Sequence, residues 1–351
     1  MADNSKIEWC DDTRNAINGC TRVSPGCGGP GPHGGCYAER LAGIRLRNHP
    51  SRAGLTTQTS AGPRWTGKVS LNERELLAPL SQKRGRKIFW NAHGDLFHEN
   101  VPDEWIDRLF AVCALTPHHT HMILTKRSAR MREYLNAPGR GETVWDAVCT
   151  LVDDWDEGLL KVRLRVINES PLLFALAAHG AAWGGARPWP LRNVWLGVSV
   201  EDQQRADERI PDLLATPAAV RFISAEPLLG PVDPFTVIAR WQDQTNSAER
   251  SHIPLGRPLL DWIIVGGESG PGARPMHPDW ARSLRDQCQA AGVAFHFKQW
   301  GEWATATGTA PSASPDDPDL RCWPDGTLAL RIGKKHAGRL LDGVEHNGFP
   351  A

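Results

Sequence analysis

Unbroken apolar runs, rather than alternating ones, are the dominant pattern along this chain. Six recur, at 87–91, 121–126, 194–199, 220–224, 262–266 and 294–298, as in Trp262-Ile263-Ile264-Val265-Gly266. An apolar run without alternation suits a strand covered on both faces, as in a parallel sheet. Helical patterns lie between the runs. Over 102–115, Pro102 marks a start, and Trp105, Ile106, Leu109, Phe110 and Cys113 form one apolar stripe. Residues 202–214 and 278–291 repeat the pattern, the second opened by Pro278 and stopped by Gly292. Alternation of this length predicts an α/β fold: βα units with right-handed crossovers, curling into a partial or full TIM-like (βα) barrel. A flat doubly wound sheet is the alternative that the same alternation allows.

Each run finishes in polar groups: Asn91 to Asp95, Lys126, Ser199 to Glu201, Glu226, Gly267-Glu268 and Lys298-Gln299. C-terminal strand ends line the active site in parallel α/β folds. Taken singly, each of these groups also reads as a helix cap or a loop salt bridge. Two segments interrupt the alternation: 138–190, an insertion, and 304–320, a flexible loop rich in Ala, Thr, Ser, Pro and Asp. The expected organisation is a barrel over 1–303, with an insertion at about 138–190, and then a flexible loop and C-terminal extension over 304–351.

The 351 residues are 40% apolar and 23% charged, with 40 basic and 40 acidic side chains, as in a globular protein with a full core. No global field draws the chain onto nucleic acid or an anionic membrane. Two local basic stretches, Lys83-Arg84-Gly85-Arg86-Lys87 and Lys126-Arg127 through Arg132, read first as solvated surface. No apolar run is long enough to span a bilayer, and the polar start lacks a signal-type stretch, so a cytoplasmic protein without membrane contact is expected.

In a reducing compartment, eight cysteines point to metal binding or catalysis before disulfides. Cys113 and Cys288 fall on amphipathic helical patterns and read as small core residues. Only Cys20, Cys27 and Cys36 cluster as ligands do. Gaps of six and eight residues separate them, and the second gap, Gly28-Gly29-Pro30-Gly31-Pro32-His33-Gly34-Gly35, is nearly free of side chains. Three thiolates can hold a cubane iron–sulfur cluster and leave one iron open to an exogenous ligand. With His33 as fourth ligand they would instead close a tetrahedral zinc site. The spacing leaves both open.

Several stretches carry a family resemblance. Lys6-Ile7-Glu8-Trp9, Asn18-Gly19-Cys20-Thr21-Arg22-Val23-Ser24-Pro25-Gly26-Cys27, Cys36-Tyr37-Ala38-Glu39-Arg40, Gly94-Asp95-Leu96-Phe97-His98-Glu99, Leu124-Thr125-Lys126-Arg127, Ser224-Ala225-Glu226-Pro227 and Phe297-Lys298-Gln299-Trp300-Gly301 look like the phage Gp37/Gp68 (DUF5131) family. That family resembles radical S-adenosylmethionine proteins, and the cysteine gaps here are wider than the usual radical motif. The resemblance implies a radical-type barrel, a [4Fe-4S] cluster on Cys20, Cys27 and Cys36, and S-adenosyl-L-methionine on the open iron. An electron donor such as flavodoxin or ferredoxin would be a partner.

It further implies Gly94 and Asp95 on the methionyl amine, Ser199 and Glu226 on the carboxylate or ribose, and Lys126, Glu268 and Lys298 on the substrate side. Some phage members are linked to thymidine hypermodification. The expected activity is therefore isomerisation of an N-linked to a C-linked glycinyl thymidine, on DNA or a modified nucleotide, in host cytoplasm if phage-encoded. A flipped base would need phosphate contacts nearby, from Lys126, Arg127 or the 83–87 stretch. A thymine-lesion lyase, or a zinc-stapled binding protein without turnover, are the competing expectations.

Overall fold

A computed structural model describes residues 5, 7–28, 36–153, 189–253, 256–305 and 317–350. Seven parallel strands form the main sheet: β1 (Asp12–Arg14), β2 (Lys87–Trp90), β3 (Thr120–Thr125), β4 (Val194–Ser199), β5 (Val220–Ala225), β6 (Trp262–Gly266) and β7 (Ala294–Gln299). Their spatial order is their chain order. Every neighbouring pair is parallel. A sheet built by successive crossovers of one hand curls rather than doubling back, and here it forms a half-barrel, which sets aside the flat doubly wound alternative. The six apolar runs are β2 to β7. β1 went unseen because Asp-Thr-Arg is polar; its charges are satisfied within the fold, where Asp12 takes two hydrogen bonds from Arg14 at 2.9 and 2.7 Å.

Strand pleating sorts the core into two clusters. Ile88, Trp90, Ile123, Leu196, Val198, Ile223, Ile263, Val265 and Phe297 join the large cluster formed with the helices. Their sequence neighbours Phe89, Met122, Phe222, Trp262 and Ile264 form a separate cluster with Trp9 and Cys10 inside the curl. Large fully buried side chains such as Trp262 contribute about 1.5–3 kcal/mol each. The helices α1 (Tyr37–Gly43), α2 (Asp103–Leu115), α3 (Ser128–Asn136), α4 (Arg140–Asp153), α5 (Gln203–Leu214), α6 (Pro234–Gln244) and α7 (Pro278–Ala291) include the three read from periodicity. No helix among the described residues is long and apolar enough to cross a membrane.

The interrupting segments are more integral than expected. α4 opens the insertion and buries Val144, Trp145, Val148 and Leu151 in the main core; 154–188 lie outside the described residues. Of the expected flexible loop, 306–316 lie outside them too. The end of the C-terminal extension packs along the half-barrel. After a three-stranded antiparallel sheet (Trp303–Thr305, Leu320–Cys322 and Leu328–Arg331), the chain returns along β7. There Phe297 N–H donates to His346 O at 3.0 Å and Gly348 N–H to Phe295 O at 2.9 Å. This covers the sheet's otherwise open edge, and Phe349 seats its ring 4.7 Å from that of Trp262.

Candidate metal centre

The cysteine loop leaves β1 and crosses the C-terminal mouth of the half-barrel. Gly19 bridges Gly94, just beyond β2. Gly19 has φ +93°, and a Cβ there would stand 2.1 Å from Lys68 O; one on Gly94 would stand 2.6 Å from Ile17 O. Two glycines thus let the loop press against both the Lys68 backbone and the chain leaving β2. Cys20 follows directly, Cys27 ends the single turn Pro25–Cys27, and Cys36 caps α1.

A different partner meets each sulfur. Arg127 Nη1 lies 3.5 Å from Cys20 Sγ, while the thiol itself donates to Thr21 O at 3.4 Å. Val23 N–H donates to Cys27 Sγ at 3.5 Å, with Ser24 Oγ at 3.9 Å. The backbone N–H groups of Glu39 and Ala38, in the first turn of α1, face Cys36. Burial pushes the Cys20 thiol up to about 12, Asp95 adding to the shift and Arg127 opposing it. Burial likewise raises Cys36, against its two N–H partners. Cys20 interacts with Cys36, and Cys36 with Cys27, so the three form one electrostatic group. A soft metal bound there displaces protons.

The three sulfurs do not all lie within 4.8 Å of one another. His33, the sequence candidate for a fourth zinc ligand, lies outside the described residues. Among the described residues one trio has metal-ligand spacing, His277, Asp279 and Asp325. Its imidazole is already engaged, Nδ1 accepting from Asp279 N–H at 3.1 Å and Nε2 lying 3.0 Å from Asp325.

Charged residues from four strand ends stitch the loop down. Glu201, beyond β4, accepts from Gly26 N–H at 3.1 Å and pairs with Arg209 at 2.9 Å. Burial opposes its charge, but Lys126 and Arg209 hold its carboxyl below the usual range. Beyond β6, Glu268 pairs with Arg274 at 2.7 Å, and Arg274 donates to Pro25 O at 2.9 Å. Asp95, beyond β2, accepts from Phe97 N–H, Thr125 Oγ1, Lys126 N–H and Arg127 Nη1 at 3.0, 2.7, 3.1 and 3.1 Å. The buried Glu39 accepts from Arg22 and from Trp65 N–H.

Three of the sequence candidates have protein partners of their own. Both oxygens of Asp95 are engaged by protein donors, which braces it at the site. Gly94 serves the close approach of Gly19. Glu268 is held bidentate by Arg274, which reaches the cysteine loop. The 83–87 basic stretch is also misplaced for phosphate contacts, because it precedes β2 and so lies at the opposite end of the sheet from the cysteines.

The remaining candidates gather at the mouth. The Glu226 carboxylate lies within 3.1 Å of the point a Gly266 Cβ would occupy, which puts it over the inner face of β6. From the end of β7, Lys298 Nζ reaches it at 2.7 Å. Ser199 and Ser224 are buried and paired in register. Lys126 follows Met122 and Leu124 in inward phase, is half-buried, and lies near enough to Glu201 to stabilise its charge.

Sequence reading passed over Arg127 as a metal-side residue, although its place beside Lys126 in the Thr-Lys-Arg stretch was a usable signal. It also missed the basic flank of the cysteine loop. Residues 36–68 hold Arg40, Arg45, Arg47, Arg52, Arg64 and Lys68 against Glu39 alone, in a chain with no net charge. Of these, Arg45, Arg47 and Lys68 are exposed.

A family described as a protein of unknown function (DUF5131) matches residues 4–350. No curated protein and no solved structure matches the chain.

Proposed function

The chain belongs to the DUF5131 family, and from that premise we propose that it is a radical S-adenosylmethionine enzyme in which Cys20, Cys27 and Cys36 would hold a [4Fe-4S] cluster. The observation that carries the reading is the set of three soft donors from one loop, held by hydrogen bonds to charged side chains over the mouth of a parallel half-barrel. When bound, such a cluster supplies an electron for reductive cleavage of a carbon–sulfur bond of S-adenosylmethionine.

The chain's own residues do the rest. Glu201 and the Glu268–Arg274 pair fix the loop. The aromatic floor formed by Trp9, Phe89, Phe222 and Trp262 closes the inside of the curl below the mouth, away from water. Lys126 and the Glu226–Lys298 pair offer charge to the polar ends of cofactor and substrate. Within this class we take the reaction to be isomerisation of a glycine-bearing thymidine from N-linked to C-linked. The family resemblance supports that choice, and so does the basic flank at 36–68, which can position phosphates.

Anaerobic reconstitution with iron and sulfide tests the class. The expected product is a brown protein that cleaves S-adenosylmethionine when reduced, with Cys20→Ala, Cys27→Ala and Cys36→Ala colourless and Cys149→Ala unaffected. A colourless wild-type protein carrying stoichiometric zinc would overturn the reading. Nucleoside analysis of DNA made with and without the protein tests the reaction: a base of unchanged mass and altered retention supports isomerisation, while a lost fragment indicates a lyase.

A further inference from the structure

We infer that Arg127 is a positioning residue that sets the reduction potential of the metal centre through the sulfur of Cys20; the inference rests on the cluster reading above. Arg127 has a side chain only 9% exposed. Nε donates to Glu99 at 2.8 Å. Nη1 donates to Asp95 at 3.1 Å and to Cys20 Sγ at 3.5 Å. Nη2 donates to Thr21 Oγ1 at 2.6 Å and to Thr21 O at 3.3 Å. A guanidinium has five N–H donors in a fixed plane. All five are used, and one is directed at a cysteine sulfur.

The surrounding groups make this orientation rigid. Asp95 and Glu99 hold two edges of the guanidinium, and Asp95 is itself fixed by Phe97, Thr125 and Lys126. Arg127 cannot turn to another partner without leaving a buried carboxylate short of a donor, which is costly. The thiol proton, now donated to Thr21 O, departs when a metal binds. The Arg127 N–H does not depart, so it remains the polar protein group directed at that sulfur from outside. Among the described residues neither Cys27 nor Cys36 has a cationic side chain so placed: their partners there are neutral backbone N–H groups and the Ser24 hydroxyl.

Net charge and hydrogen bonds to the sulfurs are two of the properties that set an iron–sulfur potential. A cationic donor on a ligand sulfur stabilises the more negative, reduced state and raises the potential. Two carboxylates offset much of the monopole, so the change on removing Arg127 should be moderate. Arg127 does not touch substrate or reacting atoms in this account. Its effect passes through Cys20.

The test is a mediator-controlled redox titration of the reconstituted protein, followed by the spectrum of the reduced cluster. At the potential where half of the wild-type centre is reduced, Arg127→Gln should lower the ratio of reduced to oxidised centre about tenfold, or about 59 mV for a one-electron couple. Arg127→Lys, which keeps the charge but not the fork, should fall between the two. Glu99→Gln provides a variant of opposite sign. Glu99 is 57% exposed, so the fold should tolerate the change, and removing one counter-charge should raise the ratio. A purely structural role would lower cluster content without moving the potential of what remains, and that result overturns the inference. So does a shift of the same sign in Arg127→Gln and Glu99→Gln. A wild-type protein that takes up no cluster overturns the reading of the site itself, and this inference with it.

Discussion

The two ends of the half-barrel are built on opposite principles. At the mouth, Asp95–Arg127, Glu201–Arg209, Glu226–Lys298 and Glu268–Arg274 bring charge to the strand ends and anchor a loop with little apolar content. At the floor, Trp9, Phe89, Phe222, Trp262 and Phe349 interlock. Buried histidines are kept neutral: burial lowers His121, against Trp90, to about 3 and His296, against Trp262 and Phe349, to about 4. The floor makes the curl stable, and the mouth arranges donors at a defined distance. The comparison therefore predicts that floor changes alter folding, while mouth changes alter metal and ligand retention.

The largest effect expected is at the floor. Trp262→Ala should cost about 3–5 kcal/mol by urea denaturation, because the ring sits among Trp9, Trp195, Phe222 and Phe349 and the space cannot collapse. A loss below about 1 kcal/mol would show that the aromatic plug is dispensable.

Acid should act at the same end. A histidine whose folded pKa is depressed contributes stability that is present above its unfolded pKa, near 6.5, and lost as pH falls below that value towards the folded one. For His121 and His296 the window runs from about 6.5 down to about 3 and about 4. By pH 5 each should have removed about 2 kcal/mol. Urea midpoints at pH 7.5 and 5 measure this, and His296→Phe should flatten the slope.

At the mouth, Gly26→Ala puts a Cβ 2.9 Å from the Glu201 carboxylate and must shift the cysteine loop. Outer partners of metal ligands are worth about 10–100-fold in metal affinity. Iron retention against a chelator should fall by that order, with the urea midpoint nearly constant. If folding and retention fall together, mouth and floor are one cooperative unit and the contrast is wrong. The smallest stability change should come from Lys126→Met, within about 0.5 kcal/mol. Equilibrium dialysis should nevertheless show about tenfold weaker binding of S-adenosylmethionine or of a nucleotide, since a half-buried cation facing the mouth is lost.

How far the sequence could be read depended on the range of the interactions. The strands at 87–90, 120–125, 194–199, 220–225, 262–266 and 294–299 were legible because each is buried on both faces, which leaves a local apolar signature. β1 left none, since its stability comes from Asp12–Arg14 and from pairing with β2 across more than seventy residues. The returning C-terminal segment was equally silent, being set by the open edge of β7. Among the site residues, the cysteines announced themselves by clustering, and the polar strand ends by following apolar runs. Their roles did not follow from that. Asp95, Glu201 and Glu268 share one sequence environment, a carboxylate after a strand, and only their partners tell a brace from a binding group.

The amino-acid sequence by itself thus determined a parallel α/β sheet, a three-cysteine loop and the set of charges at the strand ends. These follow from local periodicity and residue chemistry. Tertiary structure decided between the curled and the flat sheet that the alternation allowed, covered the sheet's edge with residues near 347, and put the 83–87 stretch at the end away from the site. It also decided that Arg127, not Lys126, meets a sulfur. Each of these depends on which distant groups are brought within hydrogen-bonding range, and short-range patterning carries no record of that.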